Sequence, residues 1–200
     1  DVTGDLSALV DFHLVTKWKT AGDSLLSASR LARKESREFL LVGAGAVARS
    51  MVEAYSSVFP EARFTVWSRT RESAAAMGLP VADDLEAAVR KADVICSATM
   101  ATAPLIKGDW LQPGQHIDLI GAYKPGMREV DDRAMQRSRI FVDSRKTTIH
   151  HIGELIDPIA SGAISDADVV ADFYDDPALF TRRSDDEITL AKNGGGAHLD

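Results

Sequence analysis

Glu38-Phe-Leu-Leu-Val42-Gly43-Ala44-Gly45-Ala46-Val47-Ala48 is the stretch that decides how this chain folds. A short apolar run reads as a buried strand and passes directly into Gly-x-Gly-x-x-Ala. The apolar positions Val47, Met51, Ala54, Tyr55 and Val58 then read as a helix ended by Pro60. A second strand, Arg63-Phe-Thr-Val-Trp67, follows. A lone Gly-x-Gly-x-x-Ala is a weak signal, but between a strand and a helix, with a second strand behind it, it is the context that dinucleotide binding requires. Gly43 permits the tight turn, Gly45 lets the backbone approach a pyrophosphate, and Ala48 keeps helix and strand close, while the helix N-terminus offers amide donors to phosphate. A glycine-rich turn with no ligand is the alternative.

Outward from this unit the alternation continues. Leu14 to Arg33 reads as an amphipathic helix whose stripe is Leu14, Trp18, Ala21, Leu25, Ala28 and Ala32. Residues 71–77 read as a helix closed by Gly78, and residues 84–91 as one capped by Asp83 or Asp84. Asp93–Ser97 and Gln115–Ile120 read as strands, residues 131–137 as a short helix, and Arg139–Asp143 as a last strand. The first eleven residues read as a hairpin-like edge, and Ile188–Ala191 as a small element that must dock on something. Strands alternating with helices predict an α/β fold, a Rossmann-type doubly wound parallel sheet.

Composition narrows the function classes. The chain has 200 residues, with 45% hydrophobic and 26% charged, enough for a real core and about a domain and a half. Its net charge of −7 argues against general nucleic-acid binding, and no apolar run suits a membrane span. Ten acidic and two basic residues fall between Gly153 and Glu187, so the acidity reads as a local solvated face. One cysteine, Cys96, excludes a disulfide framework and reads as core, and the adjacent His150 and His151 diverge too far to share a metal, so none is predicted. The sequence opens on Asp1-Val2-Thr3-Gly4 without Met, which reads as a fragment or as a start that lies elsewhere.

Cofactor choice is read at the end of the second strand. A carboxylate there usually accepts from the ribose 2′-hydroxyl of NAD. Here the residues are Ser68, Arg69 and Thr70, and a guanidinium flanked by hydroxyls suits a 2′-phosphate. NADP(H) is therefore favoured over NAD(H), with a solvated basic loop as the alternative. With Gly43, Ala44, Gly45, Ala46 and Val47, these three residues make the predicted cofactor set, joined by Thr99 and Met100 at the end of a later strand.

Several segments in order resemble one family. Trp18-Lys-Thr-Ala21, Leu41-Val-Gly-Ala-Gly-Ala46, Val66-Trp-Ser-Arg-Thr70, Ala92-Asp-Val-Ile95 and Thr99-Met-Ala-Thr-Ala-Pro104 come first. Gly121-Ala-Tyr-Lys-Pro-Gly-Met-Arg-Glu-Val130, Phe141-Val-Asp-Ser144 and residues 189–200 follow. The set resembles the ornithine cyclodeaminase/μ-crystallin family over essentially the whole chain. The resemblance implies a Rossmann domain, residues 21–180, and a second substrate and dimerisation domain to which residues 1–20 and 181–200 contribute. It further implies that an N-terminal segment carrying the family's catalytic lysine is missing, so no catalytic residue is assigned.

Within that family, cyclodeaminases carry an essential Asp where Tyr123 stands here, and a phenol cannot replace a carboxylate base at neutral pH. The family arginine that holds the substrate carboxylate matches Lys19. Lys19 and Tyr123 are thus the expected substrate contacts. The resemblance implies an NADPH-dependent oxidoreductase of cyclic imino acids (Δ1-pyrroline-2-carboxylate or Δ1-piperideine-2-carboxylate), with ornithine cyclodeaminase and a non-catalytic NADPH-binding protein as alternatives. A small imino or amino acid as ligand, a cytoplasmic setting and a homodimer complete the expectation.

Overall fold

The computed structural model describes Gly4, Leu6 and residues 8–199. Its strands are β1 (Glu38–Val42), β2 (Arg63–Trp67), β3 (Val94–Ser97), β4 (His116–Leu119), β5 (Ser138–Val142), β6 (Val169–Ala171) and β7 (Ile188–Lys192). All pair in parallel, in the order β2-β1-β3-β4-β7-β5-β6. The chain leaves β1 for β2 on one side and returns to β3 on the other, so the sheet reverses direction at β1. In a doubly wound sheet that reversal opens a crevice at the carboxyl ends of the strands.

The helices are α1 (Phe12–Leu31), α2 (Ala46–Val58), α3 (Arg71–Ala75), α4 (Leu85–Lys91), α5 (Asp132–Arg137), α6 (Arg145–Thr148) and α7 (Gly153–Ala160). Side-chain alternation along β1 shows why two layers of helix are needed. Leu40 and Val42 join the core under α4, α5 and α7, whereas Phe39 and Leu41 join the core under α1, α2 and α3. Asp84 is the cap of α4, its carboxylate accepting from the Glu86 and Ala87 amides. Cys96 is buried in β3, in the expected core position.

Three expectations need correction. Arg139–Asp143 is not the last strand: β6 and β7 follow, and β7 lies between β4 and β5 with all five residues buried. Ile188–Lys192 therefore belongs to the central sheet, and α1 runs unbroken through residue 20. The α1 stripe is only half right, because Leu14 and Trp18 are exposed while Thr20, Asp23, Ser24 and Ser27 are buried with Ala21 and Ala28. Finally, the acidic stretch is not all solvated: Glu154 and Asp172 are buried, held by backbone amides. The hairpin expected over residues 1–11 lies partly outside the described residues; residues 8–11 form no strand, and Asp11 instead caps α1, its carboxylate accepting from the Leu14 amide.

Candidate active site

Gly43 ends β1 at φ +109°, a conformation that L side chains rarely adopt, and a Cβ there would stand 2.5 Å from the Ala98 carbonyl oxygen. Its amide donates to the Trp67 carbonyl at 2.8 Å, which brings the end of β2 beside the turn. Gly45 then caps α2 with no side chain on the first amides, and nothing lies within 4 Å of where its Cβ would be. Ala48 is buried behind it. The turn thus presents open backbone and uncapped amide donors to the crevice, which fits a pyrophosphate.

A cavity of about 240 Å³ opens there. Gly43, Ala44 and Gly45 form one wall, Ser68, Arg69 and Thr70 a second, and Thr99 with Met100 a third. Ala46 and Val47 start α2 beside it. The predicted cofactor residues are therefore brought together. Arg69 is exposed at this cavity and pairs with no carboxylate among the described residues, whereas its neighbour Arg71 pairs with Asp83.

A second cavity of about 280 Å³ shares Ala98, Thr99 and Met100 with the first. Thr16 and Thr20 of α1, Val47, Gly121, Tyr123 and Gly195 line it. Tyr123 is 53% exposed at its edge. Lys19 is not in this lining; its side chain lies along Gly196, where a Cβ would approach Lys19 Cγ to 3.0 Å. The resemblance implies that Lys19 and Tyr123 meet one substrate, and here they stand on adjoining segments rather than on one wall.

Sequence reasoning missed the polar interior behind these cavities. Fully buried Glu129 receives Ser97 Oγ, Thr99 N and Thr99 Oγ1 on one oxygen and the Gly121 and Ala122 amides on the other. Glu154 in turn accepts from the Glu129 and Val130 amides. Burial, reinforced by the Glu129 charge, pushes Glu154 up to about 7. Lys192 is fully buried, donates to the Leu119 and Asn193 carbonyls, and is lowered by desolvation, which Glu129, Glu154, Asp143 and Asp118 oppose. The sequence signals for this set were the segments Gly121–Val130, which holds Glu129, and 189–200, which holds Lys192, and neither carries a mark of burial.

The tail returns over α1 by side-chain bonds. Asn193 donates to the Thr20 carbonyl and Ser24 hydroxyl, Thr20 to the Gly195 carbonyl, and His198 stands 2.9 Å from Asp23. Asp143, His198 and Asp23 lie close together, but Asp143 is engaged by the Ser144 and Gly194 amides and His198 by Tyr174 as well as Asp23.

Known proteins resemble the chain in both sequence and fold. The profile of the ornithine cyclodeaminase/mu-crystallin family matches residues 1–199. A Delta(1)-pyrroline-2-carboxylate reductase of Paracoccus denitrificans is 53% identical over 209 residues, covering 98% of this chain and 66% of the relative. The ketimine reductase mu-crystallin of Mus musculus is 34% identical, covering 84% of this chain and 54% of the relative. Among solved structures, the Thermococcus litoralis Delta(1)-pyrroline-2-carboxylate reductase in complex with NADH and L-proline matches with a TM-score of 0.81 and 26% identity, over 90% of this chain and 59% of that one. An archaeal alanine dehydrogenase dimer with bound NAD matches with a TM-score of 0.82 and 27% identity, over 93% and 63%. The chain thus spans about two thirds or less of the length of these relatives. No helix among the described residues is long and apolar enough to cross a membrane.

Proposed function

The chain belongs to the ornithine cyclodeaminase/mu-crystallin family, and from that premise we propose that it is the cofactor-binding part of an NADPH-dependent reductase of cyclic imino acids. The observation that carries this reading is the pair of joined cavities, one at the Gly43–Ala48 turn and one at Tyr123, in a chain 53% identical to a Delta(1)-pyrroline-2-carboxylate reductase. Tyr123 stands where cyclodeaminases of the family carry an Asp, which favours imine reduction over ornithine cyclisation. The favoured substrates are Δ1-pyrroline-2-carboxylate and its six-membered homologue, giving proline and pipecolate.

A bound nicotinamide would supply the hydride; the protein's part would be to place it. Amides at the start of α2 would hold the pyrophosphate, and Arg69, with Ser68 and Thr70, would meet the 2′-phosphate by charge-assisted bonds. Thr99 and Met100, common to both cavities, form the wall between cofactor and substrate. Lys19 stands outside the lining of the second cavity, and only the family resemblance supports it as a positive charge for the substrate carboxylate, a point charge without the fork an arginine would give. In such a reduction the imine carbon would gain the hydride and the ring nitrogen a proton, leaving the oxidised cofactor. No lysine of these residues is assigned as the proton donor. A homodimer in the cytoplasm is the setting proposed for the whole protein.

Full-length protein mixed with NADPH and Δ1-pyrroline-2-carboxylate tests the reading. Loss of the reduced-nicotinamide absorbance with equimolar proline supports it. Proline and ammonia from ornithine with no net cofactor use would instead establish the cyclodeaminase alternative, and tight NADPH binding without turnover the non-catalytic one.

A further inference from the structure

Two loops shape the junction of the cavities, one after β3 and one after β4, and both are anchored on a single carboxylate. Glu129 Oε1 accepts from Ser97 Oγ at 2.6 Å, Thr99 N at 2.8 Å and Thr99 Oγ1 at 2.7 Å. Its Oε2 accepts from Gly121 N at 2.7 Å and Ala122 N at 3.2 Å. The loops are pressed together here: a Cβ on Gly121 would lie 2.0 Å from the Thr99 carbonyl oxygen and 2.6 Å from Glu129 Oε1. Thr99 lines both cavities and Gly121 lines the second, so the anchor lies directly behind their shared wall.

The anchor is itself braced. The Glu129 and Val130 amides donate to Glu154 at 2.8 and 3.0 Å, and the Glu129 carbonyl accepts from Leu105 and Ile106 at 2.9 and 3.0 Å. Lys192, fully buried, supplies the opposing charge. Backbone amides can only donate, and they face both carboxylate oxygens. A glutamine at 129 would therefore turn its NH2 group toward at least one amide donor, whichever way it flipped, and the loop on that side would lose its anchor.

We propose that Glu129 is a positioning residue: by holding the β3 and β4 loops on its two oxygens, it fixes the wall that aligns the nicotinamide with the imine. The proposal rests on the reductase reading above. It implies that Glu129 acts on alignment while the cofactor's anchoring at Gly43–Ala48 and Arg69 stays intact.

The test compares full-length wild type, Glu129→Gln and Ser97→Ala, each with sites counted by bound NADPH. With Δ1-pyrroline-2-carboxylate, Glu129→Gln should lower kcat per bound site on the order of 10²-fold, the scale of an ångström of misplacement, with KM for NADPH moving less than about threefold. Ser97→Ala, which removes one of the donors without touching either cavity lining, should lower kcat in the same direction by less. The primary isotope effect with C4-deuterated NADPH should rise in both, because hydride transfer becomes slower. The emission of bound NADPH should also change in Glu129→Gln, reporting an altered nicotinamide environment. A merely structural role would lower the melting temperature and the count of binding sites, yet leave kcat per site, isotope effect and emission unchanged; that result overturns the proposal. If Glu129→Gln does not fold, an unchanged isotope effect and kcat in Ser97→Ala overturn it. Should wild type bind NADPH but not reduce the imine, the reductase reading fails, and the emission change alone then decides whether Glu129 shapes the nicotinamide wall.

Discussion

The Tyr55 hydroxyl donates to Asp118 Oδ2 across 2.5 Å in the buried layer between β4 and α2. Asp118 Oδ1 has no partner among the described residues, and burial pushes the carboxyl up to about 7, against the pull of Tyr55, Ser24 and Lys192 and with a small push from Asp23. A carboxyl raised in the folded state from its ordinary 3.8 binds a proton that the unfolded chain has released, so its contribution to stability falls as pH rises from about 4 to about 7. Glu154, raised from 4.5 to about 7, acts with the same sign. His116, fully buried and lowered from 6.5 to about 3, acts with the opposite sign over about 3 to 6.5. Asp118→Asn removes one falling component. Relative to wild type, the variant should gain on the order of 4 kcal/mol between pH 4 and pH 8, read by urea unfolding. Parallel pH profiles for the two proteins would refute this.

Arg182 should prove the strongest tie between tail and sheet. Its Nε donates to the Leu31 carbonyl at 2.7 Å, Nη1 to the Glu187 and Ser184 carbonyls, and Nη2 to Gly114, Gln115 and Thr189. Arg182→Ala would strand carbonyls at the ends of α1 and β4, at a cost of about 3 kcal/mol in denaturant unfolding. Lysine has one nitrogen for these acceptors, so Arg182→Lys should recover less than half. A loss below about 1 kcal/mol in the alanine variant would contradict the geometry.

Much of this was legible beforehand, for physical reasons that can be named. The β1-turn-α2 unit could be read because each of its parts leaves a local mark: an apolar run, glycines where the backbone turns, and helical spacing after them. The central place of β7 could not be read. Ile188-Thr-Leu-Ala-Lys192 has the composition of any short strand, and its neighbours β4 and β5 are chosen by tertiary pairing that no local pattern records. Buried charge was equally hidden. Glu129, Glu154 and Lys192 look like surface residues until backbone amides and carbonyls are found around them. The proposed cofactor residues rest on a motif, whereas the carboxylate that holds their loops had only its place in a recognisable segment.

Gly43→Ala tests the turn. The added methyl meets a carbonyl at 2.5 Å in a backbone region costing about 1–3 kcal/mol for a non-glycine residue. The variant should lose stability by at least that amount and bind NADPH at least about tenfold more weakly by fluorescence titration, since a shift of the turn moves the α2 amides. Wild-type affinity in a folded Gly43→Ala protein would contradict the placement of the pyrophosphate.

Arg69→Asp tests cofactor choice. The side chain is exposed, so folding should be unaffected within about 0.5 kcal/mol. Loss of charge-assisted bonds worth about 2 kcal/mol should weaken NADPH by roughly 30-fold, while the new carboxylate favours the ribose hydroxyl of NADH. The measured quantity is the ratio of kcat/KM for the two cofactors. An unchanged ratio would remove Arg69 from the 2′-phosphate site.

Hydride delivery to the imine carbon is the centre of the account, and isotope tracing reads it directly. Full-length protein is incubated with Δ1-pyrroline-2-carboxylate and NADPH deuterated at both C4 positions, and the product is analysed by mass spectrometry and NMR. The expected product is proline carrying one deuterium, at Cα. Proline without deuterium there, or no proline from a protein that binds NADPH, would contradict it.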